Sequence, residues 1–269
     1  MKAARTVLFV PGGRADMIAK SPRSLPDIIV VDLEDAVAQA DKDGARRTAT
    51  EAVDELDAGD AVVLVRVNPP ASPWFDADLA AVSGSRAAGV VLPKLERAED
   101  LAAVRAALPP GAVVCAGLET ARGVADCRSL LSGGVDAVYF GAEDYIADLG
   151  GRRSTAGTEV LYARSRVVLA ARLAAVPAVD QAVVAVHDHD RYRTDAEQGR
   201  DLGYQGKICL HPAQVEIARK VFSASPAEVE HARAVLAAGA SGVGMVDGQM
   251  VDDVHLRMAT ALLARADAR

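Results

Sequence analysis

Two carboxylates, Glu119 and Asp144, carry the clearest chemical signal in this chain. Each closes a short apolar run, VVCAGLET and AVYFGAED, and each is followed by helix-forming sequence. If both runs are parallel strands of one sheet, the two acids emerge on the same rim. Oxygen ligands facing each other across such a cleft suit a hard divalent cation. Few histidines and no suitable thiolates accompany the pair, so Mg2+ is expected rather than zinc, with Mn2+ as the alternative ion. Such an ion keeps some of its waters and accepts substrate oxygens, acting as Lewis acid and template.

Other charged residues gather at similar positions. Asp32 and Glu34 are two apart and so share one face of an extended strand, either around the waters of the ion or against Arg66. Arg66 is a lone charge ending an apolar run, which requires a carboxylate or a bound anion beside it. Its planar guanidinium suits a substrate carboxylate or an enolate oxygen. Arg14 and Lys20 follow the tight turn Pro11-Gly12-Gly13, where a solvated surface is the ordinary reading and a phosphate-bearing ligand the functional one. The string His187-Asp188-His189-Asp190 resembles a metal site in composition only. Its side chains cannot converge where a strand gives way to a helix, so a capping or pocket role is expected. His211-Pro212 fits packing as well as catalysis.

These residues need a scaffold that brings run ends together. Eight apolar runs rich in β-branched residues can be marked: Thr6–Pro11, Asp27–Asp35, Ala61–Asn68, Gly89–Lys94, Val113–Thr120, Ala137–Asp144, Gln181–Asp188 and Gln205–Pro212. Most are continuously apolar, as strands buried on both faces must be. Helical periodicity separates them, as in Lys42–Leu56, Ala98–Leu108, Val160–Ala175 and Asp195–Leu202. Eight β/α alternations predict a (β/α)8 TIM barrel over residues 1–222, whose active site lies where the strands end. Residues 223–269 are left as a C-terminal helical extension. Ser225-Pro226-Ala227-Glu228 is a capping box that starts its first helix, which ends near Gly239, Gly242 and Gly244.

With these residues placed, the chain resembles the citrate lyase beta-subunit family, within the HpcH/HpaI aldolase/citrate lyase superfamily, which includes malyl-CoA and citramalyl-CoA lyases. The resemblance rests on Leu8-Phe9-Val10-Pro11-Gly12 with Arg14 and Lys20, Asp32-Leu33-Glu34-Asp35-Ala36-Val37, Arg66-Val67-Asn68 and Leu92-Pro93-Lys94. It continues through Gly117-Leu118-Glu119-Thr120-Ala121-Arg122-Gly123, Gly141-Ala142-Glu143-Asp144, Gly206-Lys207, His211-Pro212-Ala213-Gln214 and Gly248-Gln249-Met250-Val251-Asp252. It implies a Mg2+-dependent 3-hydroxyacyl-CoA lyase that cleaves a C–C bond beside a thioester carbonyl and releases an oxo-acid such as glyoxylate or pyruvate. Glu119 and Asp144 would hold the metal, Arg66 would hold the enolate with Glu34 beside it, and Arg14 and Lys20 would bind the CoA phosphates. Asp252 would be the acid/base, delivered by the extension to a neighbouring subunit of a trimer or hexamer. The alternatives are a malyl-CoA-type thioesterase, a citrate lyase beta subunit acting on citryl-acyl carrier protein, and an aldolase on free oxo-acids. Tyr145 and the segment His187–Asp195 depart from the family pattern, which leaves the substrate open.

Composition excludes other classes. Half of the 269 residues are hydrophobic and the net charge is −7, dispersed without a basic face, so no nucleic-acid partner is expected. No stretch is apolar for long enough to span a membrane, and Val7–Val10 is too short for a signal segment, so a cytoplasmic protein is expected. The three cysteines lack paired spacing, and Cys115 and Cys209, inside apolar runs, read as small core residues.

Overall fold

The computed structural model describes residues 4–239 and 244–267. Gly242, one of the glycines expected to end the first helix of the extension, lies outside them. The chain divides into two compact units, Met1–Ala218 and Arg219–Arg269.

In the first unit, continuous β-branched runs become strands wherever both faces are covered. β1 (Thr6–Pro11), β2 (Ile28–Asp32), β3 (Val62–Arg66), β4 (Gly89–Leu92), β5 (Val113–Leu118), β6 (Ala137–Phe140), β7 (Ala178–Asp180) and β8 (Gly206–Cys209) pair in parallel, each with the next, and β8 pairs back with β1. This closed eight-stranded parallel sheet with helices between its strands is a TIM barrel. The connecting helices are α1 (Ala15–Lys20), α2 (Lys42–Glu55), α3 (Phe75–Ser83), α4 (Ala98–Ala107), α5 (Ala121–Leu131), α6 (Ala142–Asp148), α7 (Thr158–Leu173) and α8 (His189–Leu202). α9 (Pro212–Phe222) follows β8. Inward side chains from all eight strands, among them Val7, Val30, Leu64, Val91, Cys115, Tyr139, Val179 and Ile208, fill the lumen, so it is a packed core. All three cysteines are free and buried, as small apolar residues would be.

Two expectations are corrected. The seventh strand is Ala178–Asp180, not Gln181–Asp188. It ends in a wholly buried carboxylate, because Asp180 meets Arg164 of α7 at 2.6 Å and Lys207 of β8 at 2.8 Å. The apolar stretch beyond it is loop, with Val184 exposed. Asp144 is likewise not at a strand end: β6 stops at Phe140, and Asp144 lies in the first turn of α6.

The second unit holds α10 (Pro226–Gly239), a short hairpin of β9 (Gly244–Val246) and β10 (Gln249–Val251), and α11 (Asp253–Asp267). The capping box forms reciprocally: Ser225 N donates to Glu228 Oε2 at 2.7 Å, and Glu228 N donates to Ser225 Oγ at 3.2 Å. Asp247 and Gly248, with φ of 49° and 76°, make the two-residue turn that the right-handed twist of a hairpin favours. Ala232, Val235, Val251 and Ala259 form the small core of this unit.

Candidate active site

The floor of the barrel mouth is aromatic. Phe9 of β1 and Tyr139 of β6 meet edge to face with centroids 6.4 Å apart, and the Arg66 guanidinium lies 5.2 Å from the centre of the Phe9 ring. Tyr139 points its hydroxyl up to Glu119, donating at 3.0 Å to either carboxylate oxygen. Glu119 follows β5 directly and is 1% exposed. Glycines clear its space. A Cβ on Gly141 would overlap Glu119 Oε2, and one on Gly117 would overlap the Tyr139 hydroxyl.

Arg66 ends β3, where its register partner on β2 is Asp32. Asp32 holds it bidentately, Nε to Oδ1 and Nη2 to Oδ2, both at 2.7 Å. The same carboxylate accepts from Glu34 N at 2.9 Å and Ala36 N at 3.2 Å, which fixes the loop after β2. Arg66 Nη1 faces Glu34 Oε2 at 2.9 Å and Asp35 Oδ2 at 3.2 Å. Glu34 Oε2 nonetheless accepts no hydrogen bond. Of the two roles open to Asp32 and Glu34, the structure shows the holding of Arg66.

Lys94 joins the two halves. Its backbone is left-handed (φ 49°), a conformation that costs a non-glycine residue about 1 kcal/mol or more and recurs at functional sites. In that conformation its N–H donates to Glu119 Oε1 at 2.7 Å. Its ammonium lies 2.5 Å from Glu34 Oε1 and 3.1 Å from Asp144 Oδ1. Lys94 and Tyr139 are the residues that spacing alone does not assign. Lys94 is visible as a charge at a run end, whereas Tyr139 reads as core.

The electrostatics of the cluster follow from burial. Burial, then the like charges of Glu34 and Asp144 against the pull of Arg66, pushes Glu119 up to about 8. Glu34 is also raised, chiefly by burial, with Arg66 opposing. Burial works against the Lys94 charge, but Glu34 and Asp144 outweigh it and raise the Lys94 pKa. Burial likewise opposes the Arg66 charge, and Asp32 more than compensates. Carboxylates thus crowd this site, and among the described residues no cationic side chain pairs with Glu119 directly. An all-oxygen donor pair, a cleared cradle and a raised carboxyl fit a hard divalent ion. Among the described residues no group of three or more His, Cys, Asp or Glu is arranged to hold an ion. Mg2+ sites commonly use one or two carboxylates, with water and substrate completing the shell.

The remaining expected residues lie elsewhere. Arg14 pairs with Asp16 at 2.9 Å and Lys20 reaches the same Asp16 at 3.6 Å, all exposed on or beside α1. Arg14, together with Arg47, lines a cleft of about 550 Å³ between the β1 turn and α2. A second cleft of about 410 Å³ lies against Arg153, Gln181, Asp188 and Asp195. Asp188 caps α8 by accepting from Arg191 N at 3.0 Å, and Asp195 joins the buried Arg164–Asp180–Lys207 network. His211 accepts from Ala213 N at 3.2 Å at the start of α9. Tyr145 is buried against Phe140. Asp252, in the second unit, precedes α11. Its carboxylate accepts from Val254 N at 3.0 Å and lies 2.7 Å from His255 Nδ1, a bond that lowers its pKa.

No helix among the described residues is long and apolar enough to cross a membrane. The chain is 47% identical over 275 residues to the citrate lyase subunit beta-like protein of Deinococcus radiodurans, covering 97% of this chain and 96% of that one. It is 37% identical over 271 residues to the (3S)-malyl-CoA thioesterase of Cereibacter sphaeroides, covering 98% and 95%. Among solved structures it superposes on the protein CitE of Mycobacterium tuberculosis in complex with magnesium, acetoacetate and coenzyme A. That match has a TM-score of 0.88 and 32% identity and covers 98% of each chain. The sequence profile of the HpcH/HpaI aldolase/citrate lyase family matches residues 5–212, the whole barrel from β1 to the start of α9, and the chain belongs to that family.

Proposed function

We propose that the chain is a Mg2+-dependent 3-hydroxyacyl-CoA lyase, cleaving the C–C bond beside a thioester carbonyl to give an acyl-CoA and a short oxo-acid. The observation that carries this reading is the cluster at the barrel mouth in which Lys94 meets Glu119 through its backbone N–H and Glu34 and Asp144 through its ammonium, while Glu34 also faces Arg66. Glu119 and Asp144 are the residues that would hold the ion, which when bound supplies a Lewis acid for substrate oxygens. The Mycobacterium tuberculosis structure, in complex with magnesium and coenzyme A, supports a Mg2+ ion and a CoA ligand for this chain. Arg66, immobilised by Asp32, offers its Nη1 edge to the oxygen on which enolate charge develops; a donor held in place before the reaction needs no reorganisation during it. Glu34 keeps that edge oriented and neutralised. The cleft carrying Arg14 and Arg47 suits the phosphates of CoA, with Lys20 nearby on α1.

Asp252 is the proposed acid/base, supplied by a neighbouring copy in a homo-oligomer. Its side chain is 39% exposed, and the same unit exposes Met245, Met250, Val254 and Met258, apolar side chains that a partner copy would cover. The bond to His255 lowers its pKa, so it starts ionised.

The second reading is a thioesterase, favoured by the 37% identity to the malyl-CoA thioesterase. Incubation with malyl-, citramalyl- and citryl-CoA and Mg2+, following oxo-acid and free CoA separately, distinguishes the two. Oxo-acid with intact acyl-CoA is the expected result. Free CoA without oxo-acid establishes the thioesterase, and no reaction with any of the three refutes both for these substrates.

A further inference from the structure

Among the described residues, Lys94 is the one that touches both proposed metal ligands, and it does so through different atoms. The left-handed turn at this position aims its backbone N–H at Glu119 (2.7 Å) while its side chain reaches Asp144 (3.1 Å) and Glu34 (2.5 Å). Arg66, also at the mouth, pairs with Asp32, Glu34 and Asp35 and not with Asp144. Among the described residues, Lys94 is therefore the cation bonded to Asp144.

A divalent ion and an ammonium cannot share one carboxylate without strong repulsion. At an effective dielectric of ~20 two unit charges ~4 Å apart already interact by ~4 kcal/mol, and a doubly charged ion doubles this. The ammonium must give way. Its Glu34 bond at 2.5 Å keeps it at the site, and its side chain is partly exposed at the mouth, where an incoming anion arrives. A compact charge on a flexible four-carbon stem can make that exchange, whereas a rigid planar fork like Arg66 cannot.

We propose that Lys94 is a metal-displaced ammonium: it neutralises Asp144 in the metal-free site, yields that carboxylate to the divalent cation, and then pairs with the carboxylate of the oxo-acid half of the substrate. The proposal rests on the reading of Glu119 and Asp144 as metal ligands. It makes opposite predictions for two ligands, which a merely structural lysine would not. A brace for the β4 loop, once removed, would weaken metal and oxo-acid alike. A displaced ammonium, once removed, frees Asp144 for the metal and deprives the oxo-acid of its partner.

The test is calorimetric titration of the full chain with Mg2+, then of the Mg2+-saturated protein with glyoxylate and with pyruvate. Wild type is compared with Lys94→Met, Lys94→Gln and Lys94→Arg. The neutral variants are expected to bind Mg2+ about tenfold more tightly and to bind the better oxo-acid about tenfold more weakly, with Lys94→Arg, whose planar fork cannot make the exchange, binding Mg2+ more weakly than wild type. Two neutral variants guard against one that misfolds, and the Mg2+-induced rise in Tm, larger in the neutral variants than in wild type, reads the same effect independently. Mg2+ affinity unchanged or weakened in the neutral variants, or oxo-acid affinity undiminished, overturns the proposal. Asp144→Asn is the control: if it leaves Mg2+ affinity intact, the metal assignment itself fails, whatever Lys94 does.

Discussion

Glu119→Gln removes one charge from the barrel with almost no change in shape, and its effect should depend on pH and on metal in opposite ways. The carboxyl of Glu119 is pushed from 4.5 up to about 8, mainly by burial. Between those values the folded, metal-free protein keeps a proton that the unfolded chain has released. Stability is then fully present below pH 4.5 and falls as pH rises, by ~1.4 kcal/mol per unit, on the order of 3 kcal/mol by pH 7. Glutamine does not titrate. The Tyr139 and Lys94 bonds to this side chain cost the variant about 1 kcal/mol at every pH. In EDTA, urea unfolding followed by the fluorescence of Trp74, the single tryptophan, should show wild type the more stable at pH 4.5 and the variant the more stable at pH 7. Saturating Mg2+ should reverse the order at pH 7, since an ion present at 100 times its Kd adds about 2.7 kcal/mol to the form that binds it. A difference between the two proteins that stays constant from pH 4.5 to pH 8 without metal would refute the reasoning.

Other perturbations follow from the same geometry. Asp32→Asn leaves Arg66 buried with weaker partners and should cost about 3 kcal/mol in urea unfolding, or roughly 6–12 °C in Tm for a domain of this size; a loss below about 1 kcal/mol would show that Asp32 is not its anchor. Gly141→Ala forces a methyl group onto Glu119 Oε2 and should weaken Mg2+ binding at least about tenfold by calorimetry while the barrel remains folded. Asp252→Ala should lose turnover and keep its Mg2+ affinity. Mixed with Glu119→Gln under verified subunit exchange, it should regain part of the activity, and absence of rescue counts against a site shared between copies.

Much of the barrel is legible in the sequence because burial on both faces demands continuous apolar runs, which mark β1 to β6 and β8. β7 is not, for a physical reason. A three-residue strand ending in Asp180 looks polar, and only the partners Arg164 and Lys207, contributed by other elements, make that carboxylate tolerable inside. The more β-branched stretch beyond it is a decoy that forms loop. Glu119, Arg66 and Glu34 are readable as charges at the ends of apolar runs, where a barrel concentrates its chemistry. Asp144 is readable as an acid near a strand but not as a residue of α6. Lys94 and Tyr139 resist reading because their roles depend on direction: one through a left-handed backbone, the other through a hydroxyl aimed out of the core.

Whether Glu119 and Asp144 together form the metal centre can be seen directly by anomalous diffraction from crystals soaked in Mn2+, the heavier substitute for Mg2+. A single strong peak within coordination distance of both carboxylates, with the Lys94 ammonium withdrawn from Asp144, is the expected result. A peak elsewhere, or none at saturating Mn2+, contradicts it.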